Sequence, residues 1–262
     1  MLTAVVAAVA RPGLFQILSS LVFARVPIST IVSAIAMPKA NYGIDAPTVL
    51  RNLSIAAAAG MIGGLVLLRY VGPIGRPFLS MGGGFGLGAL LLLWSSLVGK
   101  FRARDALLNA VPWRGDEQVL DVGCGHGLML IGAAKRLSSG RAIGIDIWQD
   151  VDQANNSAAA TRRNADLEGV SVDVRDGDAR RIPFDGAVFD GVVSSLALHN
   201  IYNAREREQA LGEIARVLKP GGHAAIFDVR HGYARFFERN GFTIVRKWPT
   251  MLFGRSVVAR KN

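Results

Sequence analysis

Residues 119–127 read Val-Leu-Asp-Val-Gly-Cys-Gly-His-Gly, and their types and spacing point to a ligand-binding turn. An apolar run ends in an acid, three glycines alternate, and an amphipathic stretch from Leu128 to Leu137 follows. That is strand, tight turn and helix. Glycines at Gly123, Gly125 and Gly127 remove the Cβ atoms that would hold a ligand away from the backbone. The ligand then meets the amides opening the next helix. A dinucleotide loop places its third glycine five residues after the first. Here that position is Leu128, which disfavours a nicotinamide cofactor. Asp146 lies 21 residues after Gly125, at the end of a second apolar run, Arg141 to Asp146. A carboxylate at the tip of a second strand can accept both hydroxyls of a ribose.

The elements that must position these groups follow in order. A third alternating strand, Val170 to Val174, precedes Asp176-Gly177-Asp178-Ala179. Residues 188–195 (Val-Phe-Asp-Gly-Val-Val-Ser-Ser) read as a fourth strand. Leu218-Lys219-Pro220-Gly221-Gly222-His223 is a turn leading into a fifth, Ala224 to Asp228. Five motifs in this order over about 110 residues resemble the class I S-adenosylmethionine (SAM) methyltransferases. Asp146-Ile147-Trp148-Gln149, residues 194–201, Trp94-Ser95-Ser96 and Tyr42-Gly43-Ile44-Asp45-Ala46-Pro47 extend the likeness. They resemble a bacterial group of such enzymes that carries an N-terminal two-helix membrane hairpin. The resemblance spans roughly residues 40–262.

The resemblance implies an α/β, doubly wound, Rossmann-like sheet of seven strands, the last antiparallel and here Gly254 to Ala259. It implies S-adenosyl-L-methionine as cofactor. Asp121, Gly123, Gly125 and Gly127 would form its methionine and ribose side. Asp146 would hold the ribose, Ile147 would pack on the adenine, Asp178 would accept from the adenine amine, and Ser194 would face the methionine end. The cofactor brings an electrophilic methyl group, and the protein supplies position and electrostatics. His199, a few residues past strand four, is the candidate general base should the acceptor be a hydroxyl. No metal-ligand constellation is expected.

Residues 100–262 suffice for such a domain; residues 1–99 are an N-terminal membrane region of different composition. They carry six Lys or Arg and one acid, Asp45. Leu53 to Leu68 and Phe78 to Val98 are uncharged apolar runs, the second 21 residues long. About 20 apolar residues span a bilayer as a helix, so residues 53–98 are expected to form an all-α transmembrane hairpin turning at residues 72–77. Small residues four apart (Gly60 and Gly64, Gly82 and Gly86, Gly84 and Gly88) favour close helix pairing. A further span is open within 14–37, where Arg25 and Pro27 interrupt the apolar run. Lys100, Arg102 and Arg104 follow the last span, which places the catalytic domain on the cytoplasmic side of a multi-pass cell-membrane protein.

The net charge of +10 suits an anionic membrane surface. No aromatic-interleaved basic stripe points to nucleic acid. One cysteine, Cys124, excludes an intrachain disulfide. The expected function is therefore methyl transfer from SAM to a small or lipophilic acceptor. A non-catalytic SAM sensor or assembly factor at the membrane is the alternative. Neither the acceptor nor the oligomeric state is legible.

Overall fold

A computed structural model describes residues 39–149, 156–250 and 254–262. The possible span within 14–37 lies outside them. Residues 40–262 form one compact unit. Its first elements are two long helices, α1 (Pro47–Tyr70) and α2 (Gly75–Trp94). A π-helical turn, Ser95–Gly99, joins α2 without a break to α3 (Lys100–Leu108). Then come β1 (Gln118–Val122), α4 (Leu128–Ala134), β2 (Arg141–Asp146), α5 (Ala158–Leu167), β3 (Asp173–Asp176) and β4 (Phe189–Ser195). The chain finishes with α6 (Ala204–Val217), β5 (Leu218–Asp228), α7 (Tyr233–Arg239), β6 (Phe242–Thr250) and β7 (Gly254–Lys261).

The seven strands form one sheet in the order β3-β2-β1-β4-β5-β7-β6. β1 to β5 pair in parallel and β7 runs antiparallel to both neighbours. The expected Rossmann-like sheet with an antiparallel last strand is therefore present. The strand order reverses between β1 and β4, and ligands bind such sheets beyond the carboxyl ends at that point. Helices cover both faces. One core cluster gathers Leu120, Ile145, Phe189, Ile214 and Phe237; another joins Leu107 and Leu108 of α3 to Val119, Val193 and Val258.

Two strands start more than one residue away from the sequence reading. β3 starts at Asp173 because Val170 and Val172 pack against the Tyr42, Ile131 and Ala165 cluster before the chain pairs with β2 at Ile143. β5 begins at Leu218, so the Lys219–Gly222 stretch belongs to the strand and produces an irregular register against β4.

The helical hairpin turns over Val71–Ile74, so Arg76 and Pro77 fall in the first turn of α2, where proline fits. The glycines explain its close packing only in part. A Cβ on Gly82 would sit 2.6 Å from the Met61 amide nitrogen, and one on Gly60 would sit 2.7 Å from the Gly82 Cα. A Cβ on Gly75 would meet the Gly64 carbonyl at 2.3 Å. Gly84 and Gly88 do not share this role: Gly84 has nothing near it, and Gly88 has only ordinary contact with Leu53.

The segment 40–46 straps the base of the hairpin to the sheet domain. Lys100 is buried, and its Nζ donates to the carbonyls of Tyr42 (2.9 Å) and Gly43 (2.6 Å) and to Asp45 Oδ1 (3.3 Å). The Asp45 amide donates to Ser96 Oγ at 2.9 Å. Tyr42 is buried edge-on to Phe101.

Candidate functional site

The glycine turn sits at the carboxyl end of β1, at the reversal of strand order. All three glycines have positive φ: 73° at Gly123, 49° at Gly125 and 86° at Gly127. Two of them also permit close protein packing. A Cβ on Gly123 would lie 2.3 Å from that of Ala197, and one on Gly127 would lie 2.9 Å from Thr161 Cγ2. The glycine spacing therefore serves the turn's conformation and its neighbours as well as access for a ligand. Thr161 Oγ1 donates to the Gly125 carbonyl (2.5 Å), and Asn164 Nδ2 donates to the His126 carbonyl (2.9 Å). Asn164 also grips the strap: its Oδ1 accepts from the Asn41 amide and its Nδ2 donates to the Asn41 carbonyl, both at 2.9 Å. Sequence reasoning missed both α5 residues, which lie 36 and 38 positions from the groups they hold.

Asp121 and Asp146 are brought together beside this turn. Asp146 Oδ2 accepts from the Gly125 amide (2.8 Å), and its Oδ1 accepts from the Trp148 amide (2.7 Å). A carboxylate has about four acceptor sites, so capacity remains for further donors. Asp121 is 1% exposed, and neither oxygen accepts a hydrogen bond of normal distance and angle, although the Leu130 amide faces the carboxyl. Burial pushes its carboxyl up to about 8; the Leu130 amide moderates this and the Asp146 charge adds to it. An unsatisfied buried carboxyl is costly, and the chemistry that suits it is a cationic donor. Burial pushes the Cys124 thiol well up, which removes it as a nucleophile.

The remaining expected residues divide. Ile147 is 49% exposed at the rim, where a flat apolar ring could lie on it. Asp178 is held by Arg180, whose Nε and Nη2 and backbone amide all donate to it, and these contacts lower its carboxyl pKa. An adenine amine would have to share that carboxylate with a guanidinium. Ser194 is buried, and its hydroxyl donates to the Val122 carbonyl at 2.8 Å. The Ser194 hydroxyl ties β4 to β1 rather than pointing into an open site.

His199 lies in the short 3₁₀ turn Leu198–Asn200 after β4. Its Nδ1 is 3.1 Å from Asp228 Oδ1 at the end of β5, and its amide donates to Asp228 Oδ2 at 3.0 Å. Asp228 is fully buried and also accepts from the Val229 amide (2.6 Å) and the Tyr233 hydroxyl (3.3 Å). Burial, then the Asp228 charge, pushes the Tyr233 phenol up, so it stays a donor. An imidazole beside a buried carboxylate is the arrangement in which a histidine can accept a proton and have the resulting charge stabilised. No group of three metal-ligating side chains occurs among the described residues.

Comparison with known proteins agrees with this geometry. Residues 120–226 match the family described as "Methyltransferase domain". The demethylmenaquinone methyltransferase of Symbiobacterium thermophilum is 33% identical over 174 residues, covering 61% of this chain and 65% of that protein. The 2-phytyl-1,4-naphtoquinone methyltransferase of a Synechocystis species is 33% identical over 123 residues, covering 45% of this chain and 49% of that protein. The chain thus spans less than two thirds of the length of these relatives. Among solved structures, a SAM-dependent methyltransferase from Aquifex aeolicus superposes with a TM-score of 0.51 at 20% identity, covering 63% of this chain and 92% of that one. The [4+2]-cyclase SpnF superposes with a TM-score of 0.52 at 19% identity, covering 62% and 80%. Likeness at that level fixes the fold and leaves the reaction to the site.

Proposed function

We infer, from a chain whose residues 120–226 match the methyltransferase-domain family, that this protein transfers the methyl group of SAM to a lipophilic, quinone-like acceptor at a membrane. The single observation that carries the cofactor reading is Asp121, a buried carboxyl with no hydrogen bond of normal geometry, beside a glycine turn. The ammonium group of SAM is the donor it lacks. Asp146 would take the ribose hydroxyls, and Ile147 would lie against the adenine. Bound there, SAM supplies a methyl group already activated for transfer. The protein's own part is to orient the acceptor, exclude water and, for a hydroxyl-bearing acceptor, take a proton on His199 with Asp228 stabilising the imidazolium.

Two observations support the acceptor class. Relatives include enzymes named for demethylmenaquinone and phytyl-naphthoquinone substrates. The helices Pro47–Tyr70 and Gly75–Leu108 have a mean hydropathy of 1.6, with only 11% and 17% of their apolar windows buried. Ile62, Leu65, Leu87 and Leu90 are each more than half exposed. Apolar faces of this extent mark a membrane or a partner. A hairpin anchor would leave the domain where lipophilic acceptors collect.

Detergent-solubilised protein incubated with methyl-labelled SAM and a bacterial lipid extract should label a lipid fraction. Asp146→Ala should abolish labelling at limiting SAM and weaken SAM binding about 10- to 100-fold, the equivalent of one lost charge-assisted hydrogen-bond set. SAM binding without any label transfer would favour a non-catalytic sensor. Absence of SAM binding would remove the reading altogether.

A further inference from the structure

A cavity of about 300 Å³ opens at the carboxyl edge of the sheet, between α7 and the adjoining ends of β6 and β7. Arg230, His231, Lys247 and Arg255 line it, and no acidic side chain does. The nearest acid along the strands is Asp228, paired in register with Arg255. It is fully buried, and its oxygens already accept from the Val229, Arg230 and His199 amides and the Tyr233 hydroxyl. Arg230, Lys247 and Arg255 have no carboxylate within ion-pair distance among the described residues. Cations gathered around one cavity without a carboxylate among them make it attractive to an anion. Ala234, Pro249 and Val257 give the cavity its apolar lining, while the Trp248 ring, with Arg246 stacked 4.8 Å over it, packs on the opposite face of the sheet beside Ser256 and the Val258 cluster.

The position of the cavity narrows the anion. The hairpin base reaches the same carboxyl edge, because Lys100 holds the Gly43 carbonyl and Gly43 lies against His126 of the glycine turn. From there α3 descends to Trp113, which packs under Gly191 near the start of β4. The hairpin therefore leaves the domain from the edge that carries the cavity. A basic cavity with an apolar lining on that edge fits a phosphoryl group with apolar substituents.

We propose that this cavity binds a phosphoryl anion, the phosphate of an anionic lipid headgroup at the membrane surface. The site is separate from the SAM turn, and its occupation does not require methyl transfer. Full-length protein in neutral detergent, at constant ionic strength, is titrated with short-chain phosphatidylglycerol, short-chain phosphatidylcholine and inorganic phosphate while tryptophan fluorescence is followed. Phosphatidylglycerol should give a saturable change that weakens at least about tenfold in Lys247→Gln/Arg255→Gln. Both charged positions are exposed, and unchanged SAM affinity in the same variant reports an intact fold. Tighter binding of phosphatidylglycerol than of inorganic phosphate assigns the site to a lipid headgroup. Equal binding assigns it to a soluble phosphate and overturns the lipid source alone. No response to either anion, an equal response to phosphatidylcholine, or full affinity in the double variant overturns the site. SAM binding, measured separately, tests the methyltransferase reading, so the two can fail independently.

Discussion

Asp121 links cofactor binding to pH. Its carboxyl titrates near 8 in the folded chain against about 3.9 when unfolded. The unfolded state therefore holds fewer protons between these values, and the carboxyl's contribution to stability falls as pH rises from about 4 to about 8. The slope is at most about 1.4 kcal/mol per pH unit. Asp121→Asn should flatten that decline in thermal unfolding of the ligand-free protein. A cationic ammonium favours the ionised carboxylate, so SAM binding at pH 7 should release close to one proton. Calorimetry in buffers of different ionisation enthalpy measures it, and proton uptake would contradict the pairing. At His199 the expectation concerns rate. His199→Ala should lower transfer to a hydroxyl acceptor by roughly 10²–10⁴-fold with SAM affinity nearly intact. Asp228→Asn should lower it less and change the acid limb of the pH–rate profile. Near-normal turnover and an unaltered profile in both would leave the pair a structural feature of the β4–β5 edge.

At the level of elements, the hairpin and the strap make separate demands. Gly82→Leu should separate α1 from α2, because the new Cβ would fall 2.6 Å from backbone, whereas Gly84→Leu meets nothing and should be neutral. Overpacking of this kind costs about 1–3 kcal/mol, readable as a drop in melting temperature for the first variant alone. Lys100→Met should leave the Tyr42 and Gly43 carbonyls without their donor, costing about 1–3 kcal/mol. Because Asn164 holds both the strap and the His126 carbonyl, SAM affinity should fall along with stability. The glycine turn, Asp146 and most strands were legible from sequence because each is a local pattern: an apolar run, an acid and a turn. The His199–Asp228 contact was not, since it joins residues 29 apart through the pairing of two strands. Nor was the capture of Asp178 by Arg180, because two opposite charges two residues apart in a sequence read the same whether paired or solvated. The likeness of Tyr42-Gly43 to a hairpin-bearing family was visible, but its task of filling a pocket between Phe101, Ile131 and Ala165 depends on residues from three distant elements.

For the whole molecule, the proposal of a membrane anchor predicts that full-length protein stays with membranes through a carbonate wash. Release by salt alone would reduce the apolar hairpin to a docking surface for another protein. A chain cut at Lys100 would lose every acceptor of that buried lysine, so the shortest stable soluble form should not begin there. From Gly75 to Leu108 the helix runs on through its π turn, a rod of roughly 50 Å whose foot is sealed in the core at Leu107 and Leu108. A flexible tether would let the domain wander above the lipid. Under the proposed anchor a rod would work as a depth gauge, fixing the height at which the sheet's carboxyl edge stands over the bilayer. Acceptors would then be sorted by how far the reacting ring can rise from its tail, before any side chain touches them.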